Sequence, residues 1–146
     1  MFTEFEAKEK TMIQEFVERF EKNKTKIESA FRTKHLKSYI DVVREVIKSV
    51  TSDDGCGEID PERIHQIDDG DYQGTLLFVI AAKGYQPNDY WFVKVMYGSC
   101  SGCDTLQAIN ESWEDKPPTD DQVSQYMTLA LHIVQGLKFM GETAST

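Results

Sequence analysis

The sequence lacks several features that would assign it to a class at once. It contains no apolar run near the roughly 18 residues that cross a bilayer. Its polar, acidic N-terminus, MFTEFEAKEK, does not resemble a signal or transit peptide. Three cysteines are too few and odd in number for a closed disulfide framework. We therefore expect a protein of a reducing cytoplasm that has no membrane segment.

Basic residues are also scarce. The 146 residues include 16 Lys and Arg against 25 Asp and Glu, a net charge of −9. General binding to nucleic acid backbones requires a basic surface, so we do not expect it here. The imbalance is uneven, because residues 1–50 carry 11 basic and 9 acidic side chains and residues 51–146 carry 5 and 16. The acidic part is either a partner-binding face or a solubilising surface.

What the sequence does contain indicates a single α+β domain over residues 1–146, since 40% hydrophobic content supplies one core. Within it, residues 1–52 predict an N-terminal helical hairpin joined near Thr33, because apolar residues recur there at helical spacing. Whether residues 3–33 form one helix, or two that separate at Asn23 or Thr25, stays open.

Residues 53–110 predict a small antiparallel sheet followed by a Cys-x-x-Cys turn. A short strand is expected around Ile64–Ile67. The β-rich runs Gly74–Ala82 and Asp89–Ser99 flank a six-residue loop, so they predict an antiparallel pair. Both faces of the second run are mostly apolar, and we expect helices over one face and part of the other.

Residues 119–141 predict a long C-terminal helix. Thr119-Asp120-Asp121-Gln122 has the form of a capping box, in which a hydroxyl and an amide side chain satisfy the first backbone N–H groups. Apolar residues at helical spacing follow it.

The turn at Cys100-Ser101-Gly102-Cys103 has three interpretations. A redox dithiol needs a thiolate activated at a helix N-terminus, but no thioredoxin-like strands or proline loop follow Asp104. A zinc site would need Cys56 and His65 to complete the ligand set, at no recognised spacing. In the third interpretation the cysteines and small residues are structural. We favour no metal or cofactor, with zinc as the open alternative.

The same turn is a candidate anion site, because a strand-to-helix turn of small residues presents backbone N–H groups. Neighbouring aromatic side chains are candidates for stacking a base, with core packing as the alternative. The candidate ligand-binding residues are Tyr90, Lys94, Gly98, Ser99, Ser101, Gly102, Asp104 and Trp113. Asp104 weighs against an anion, since its carboxylate competes for the same N–H groups as a helix cap.

No catalytic set accompanies this turn. His35, His65 and His132 are scattered, with no Ser-His-Asp order and no glycine elbow. We assign no catalytic residue and expect binding rather than catalysis.

The stretches DYQGTLLFVI and DYWFVKVMYGSCSGCDTLQ, within residues 64–110, resemble small proteins of tailed bacteriophages. The resemblance implies a phage origin and a location in the host cytoplasm, but no activity and no site residue. By analogy of origin, the expected function is binding to a host defence protein and inhibiting it. A nucleotide-binding sponge and a thiol-redox or zinc-binding protein are the alternatives, and a homodimer stays open.

Overall fold

The chain folds into helices and one antiparallel sheet, so the expected α+β class is confirmed. The computed structural model describes residues 4–52, 58–68, 74–84, 89–97, 104–110 and 116–140. Their elements are α1 (Glu4–Lys22), α2 (Lys24–Thr33), α3 (Tyr39–Val50), β1 (Ile59–Asp68), β2 (Gly74–Ala82), β3 (Tyr90–Tyr97), α4 (Thr105–Asn110), α5 (Asp120–Gly136) and β4 (Lys138–Phe139). None of the helices in these ranges is long and apolar enough to span a membrane.

The N-terminal segment contains two helices, which separate at Asn23. The Asn23 side chain donates hydrogen bonds to the carbonyl oxygens of Arg19 (3.1 Å) and Ser49 (2.8 Å). The Arg19 guanidinium donates to the Val50 carbonyl at 2.9 Å. The last carbonyls of a helix have no partner inside it, so these bonds join the α1–α2 junction to the end of α3. Helix α3 therefore returns along α2, as the predicted hairpin requires.

Strands β2 and β3 confirm the predicted antiparallel pair, with a register from Gly74↔Tyr97 to Ala81↔Tyr90. Strand β1 is longer than the strand expected around Ile64–Ile67. It pairs with β2 across an irregularity between Ile59 and Ile64. A bulge accommodates residues that break the two-residue alternation of a strand, which is why the sequence pattern shows only the second half of β1.

One face of the sheet packs against the helices and forms the core. Phe78 and Ile80 of β2 are completely buried on this side. Trp91 of β3 lies edge-on to Phe16 of α1, with ring centroids 6.2 Å apart, and to Phe139 of β4 at 5.7 Å. The sheet and the helical layer thus share one continuous apolar interior.

The predicted capping box is present at the start of α5. The Thr119 N–H donates to Gln122 Oε1 at 2.9 Å, and the Gln122 N–H donates to Thr119 Oγ1 at 3.3 Å. Two otherwise unsatisfied N–H groups are thereby paired, which fixes where this helix begins.

The C-terminal helix is shorter than the expected 119–141, because α5 ends at Gly136. Lys138 and Phe139 instead pair with β3 as a fourth strand. A Cβ added at Gly136 would lie 3.3 Å from Cγ2 of Val93, so the glycine lets the chain pass close to β3 as it leaves the helix. Pairing with β3 satisfies backbone groups that a longer helix would have satisfied internally.

Candidate functional site

Asp104, a candidate ligand-binding residue, is buried and already hydrogen-bonded. The Tyr39 hydroxyl of α3 donates to Asp104 Oδ1 at 2.8 Å and accepts the Leu106 N–H at 3.0 Å. Tyr39 thus joins α3 to the first turn of α4 through one oxygen atom. The carboxylate side chain faces the helical layer rather than the surface.

The Tyr39 hydroxyl is the neutral partner of this hydrogen-bonded pair. Burial, together with the adjacent Asp104 carboxylate, raises the pKa of Tyr39 to about 12, although the backbone N–H groups that bond its hydroxyl oxygen act in the other direction. The hydroxyl therefore stays protonated at neutral pH and remains a donor to the carboxylate. The hydrogen bond from the Tyr39 hydroxyl therefore holds the Asp104 side chain in the interior.

Several candidate residues lie outside the described ranges. They are Gly98, Ser99, Ser101, Gly102 and Trp113 of the candidate ligand site and the three cysteines, Cys56, Cys100 and Cys103. Of the candidate zinc ligands, only His65 is described, exposed on β1. Within the described residues there is no group of three or more side chains able to hold a metal ion.

Tyr90 and Lys94 lie on the sheet face that points away from the helices, which we call the open face. Cross-strand pairing places Leu77 opposite Lys94 and Ala81 opposite Tyr90. The remaining rows follow from the same registers, since paired residues point to the same side of a sheet. The members of the open face are His65, Ile67, Thr75, Leu77, Val79, Ala81, Tyr90, Phe92, Lys94, Met96, Lys138 and, after β4, Met140.

The open face is mostly apolar, and its described side chains are partly or fully exposed. We expected helices over part of it, yet among its described side chains none is buried. The large hydrophobic side chains that are exposed in the described part of the chain all belong to it. They are Ile67 (44% exposed), Tyr90 (36%), Met96 (80%) and Met140 (41%). Exposed apolar side chains gathered on one surface, unlike scattered ones, make that surface a candidate for binding.

At the described positions of the open face, the charged side chains are lysines. Lys94 and Lys138 are both exposed, and neither forms an ion pair with a carboxylate of the described residues. Lys138 is opposite Phe92, two residues from Lys94, so the two lysines are diagonal neighbours with Cα atoms about 7–8 Å apart. No Asp or Glu occupies a paired position on this face.

The buried histidine is part of the core rather than of a reactive site. His35 Nδ1 is 2.8 Å from the hydroxyl of Tyr126, which also accepts the Leu36 N–H at 3.3 Å. Tyr126 is in turn stacked on Phe31 at 5.3 Å between ring centroids. Burial lowers the pKa of His35, which favours the neutral imidazole. These contacts join the α2–α3 turn to α5.

Sequence reasoning found part of the open face and missed the rest. It selected Tyr90 and Lys94 as ligand residues, but it did not select Ile67, Met96 or Lys138. The sequence of β3 contained part of this information, because its alternate residues Tyr90, Phe92, Lys94 and Met96 combine apolar and polar side chains on one face. The contribution of β1 and β4 depends on registers that only the folded chain defines.

No family model matches this sequence, and neither the curated proteins nor the solved structures contain a significant match. The geometry of the chain itself therefore carries the functional argument.

Proposed function

We propose that this protein acts by binding a partner protein through the open face, and that the partner is a host protein whose activity is inhibited. The observation that carries the proposal is the concentration of Ile67, Tyr90, Met96 and Met140 on a single sheet face. The sequence resemblance to phage proteins supports a host protein as the target. Catalysis is not part of the proposal.

The physical reason is the cost of leaving this surface in water. Burying apolar surface contributes about 25 cal/mol per Å², and a partner gains it without disturbing the fold. Tyr90 adds a large, rigid side chain with a polar end, the kind of residue that often dominates binding energy. Backbone hydrogen bonding fixes the β2–β3 pair beneath these side chains, so little ordering remains to be done on binding.

The test is a variant that removes apolar contacts from the open face but keeps the sheet. Ile67→Thr combined with Met96→Thr introduces good strand formers at two exposed positions, so the free energy of unfolding should change by less than about 0.5 kcal/mol per site. A tagged wild-type chain identifies the partner from bacterial lysate. Isothermal titration calorimetry with that purified partner should then show affinity at least about tenfold lower for the double variant.

The matched control is Gln66→Thr. Gln66 is exposed on the same strand as Ile67. It pairs with Phe78, so its side chain points to the side of the sheet that the helices cover. It should bind like the wild type, and the purified partner should lose activity with the wild type and Gln66→Thr but not with the double variant. Equal affinity for all three proteins would refute the open face as the binding surface.

A nucleotide-binding sponge is the second candidate, because Tyr90, Phe92 and Lys94 are aligned on the open face. Two rings and an ammonium group at two-residue spacing provide stacking and phosphate pairing. A thermal-shift panel of mono-, di- and cyclic nucleotides tests it. A true ligand at a hundredfold its dissociation constant adds about 2.7 kcal/mol of stability, which Tyr90→Ala should abolish.

A further inference from the structure

The charges of the open face define the chemistry of the partner. The acidic part of the chain, residues 51–146, has 16 acidic and 5 basic side chains. Of the acidic residues of this part that the structure describes, none occupies a paired position on the open face, whereas two of the 5 basic residues, Lys94 and Lys138, are on it. Among the described residues, the paired charges of the open face are therefore cations, opposite in sign to the net charge of the molecule.

This sign argues against a second copy as the occupant. A twofold face-to-face dimer would bring the open face against itself, so Lys94 and Lys138 of both copies would share one partly desolvated interface. Like charges in such an interface cost several kcal/mol, while opposite charges steer encounter and fix the register. Complementarity therefore requires carboxylates on the partner, around an apolar strip that covers residues such as Ile67 and Met96.

The apolar composition of the open face favours a helix as its occupant. The other face of the same sheet is covered by helices, and Trp91 packs there against Phe16 of α1. Aliphatic and thioether side chains outnumber the two aromatic rings on the open face, which favours a protein over stacked bases. A sheet that is apolar on both sides is completed by a second helical layer.

We infer that the open face binds an acidic amphipathic helix of the partner, with an apolar stripe over the sheet and Asp or Glu side chains paired to Lys94 and Lys138. The inference rests on the proposed function, since it specifies the partner of that same surface.

The experiment uses the full chain and two synthetic peptides of about 20 residues, both confirmed as helical by circular dichroism. They share one Leu and Ile stripe and differ only in its flanks, which are Glu in one and Lys in the other. Fluorescence anisotropy should show at least about tenfold tighter binding of the Glu peptide. Raising NaCl from about 0.05 to about 0.5 M should weaken the Glu peptide more than the Lys peptide.

Charge reversal identifies the two lysines. Lys94→Glu with Lys138→Glu should weaken the Glu peptide about tenfold and strengthen the Lys peptide. Lys24→Glu with Lys26→Glu is the matched control, since it changes the net charge equally at exposed positions in the first turn of α2. This control should leave the peptide preference unchanged, and the melting temperature of each variant verifies folding.

The possible failures are distinguishable. Equal affinity for both peptides, lowered by Ile67→Thr and Met96→Thr, would overturn the acidic helix but keep the open face as the docking surface. Failure to bind either peptide would overturn the inference. The proposed function would then be decided by the calorimetry with the partner purified from lysate. A dimer in sedimentation velocity that dissociates in Met96→Thr, or tighter binding of a single-stranded oligonucleotide than of the Glu peptide, would likewise overturn it.

Discussion

Tyr39 is one of the residues that attach α4 to the helical layer. Its hydroxyl group makes two buried hydrogen bonds, to Asp104 and to the Leu106 N–H. Tyr39→Phe keeps the ring and removes both bonds, so we expect the free energy of unfolding to fall by about 1–3 kcal/mol. Urea denaturation measures the change, since the midpoint should move while the slope stays constant.

Tyr97→Phe is the matched control for this prediction. It removes a hydroxyl that donates to Asp68 at 2.6 Å in an exposed position. Water replaces an exposed partner readily, so the loss should stay below about 0.5 kcal/mol. If the two variants lose the same stability, Tyr39 has no special part in holding α4.

His35 makes the stability depend on pH. Burial lowers the pKa of His35 in the folded protein, whereas the unfolded chain takes up a proton near pH 6.5. The unfolded state therefore binds more protons as the pH falls below about 6.5, and stability decreases until the lowered folded pKa is passed. Thermal unfolding between about pH 7.5 and 5.5 should show this decline.

His35→Gln should flatten that pH dependence, because the position no longer titrates. His132→Gln removes an exposed histidine of α5 and is the matched control. If the pH dependence of stability persists in His35→Gln and disappears in His132→Gln, His132 and not His35 causes it.

At the scale of secondary structure, the junction of α1 and α2 connects the hairpin to the end of α3. Asn23→Ala removes the bonds to the Arg19 and Ser49 carbonyls, which should lower the free energy of unfolding by about 1–2 kcal/mol. Lys24→Ala alters the adjacent exposed residue and should cost little. Chemical denaturation of both variants checks the difference, and equal stability would mean that the junction is held by packing alone.

The elements that were predictable from sequence are those encoded by neighbouring residues. The β2–β3 pair follows from two apolar runs and one loop, and the start of α5 follows from the capping box at Thr119 and Gln122. The elements that were not predictable depend on distant partners. At the end of α1, Asn23 bonds to the carbonyl of Ser49, and at the end of α5, Gly136 lies close to Val93 of β3.

The candidate site shows the same limit. Tyr90 and Lys94 were recognisable because they stand on one strand at two-residue spacing. Ile67 and Lys138 join them only through the registers of β1 and β4, which local sequence patterns do not specify. The sequence of β3 alone indicated that a surface was present, but the residues that β1 and β4 add to it are known only from the folded sheet.

At the scale of the whole molecule, the open face and the core differ in exposure to solvent. The methionines differ in exposure accordingly. Met96 is 80% exposed and Met140 41% exposed on the open face, whereas Met12 and Met127 are half-buried against the core. Oxidation converts a methionine thioether into a polar sulfoxide. Under limiting hydrogen peroxide we expect Met96 to react first and Met140 next, with Met12 and Met127 slower.

Peptide mass spectrometry gives the oxidation rates of Met12, Met96, Met127 and Met140. In about 6 M guanidinium chloride the four rates should converge, because unfolding removes the difference in exposure. Adding the acidic helical peptide to the folded chain should slow Met96 and leave Met12 unchanged, since only the open face becomes covered. A free chain in which Met96 reacts no faster than Met127 would show that this face is already occupied, and a binding function for it would have to be abandoned.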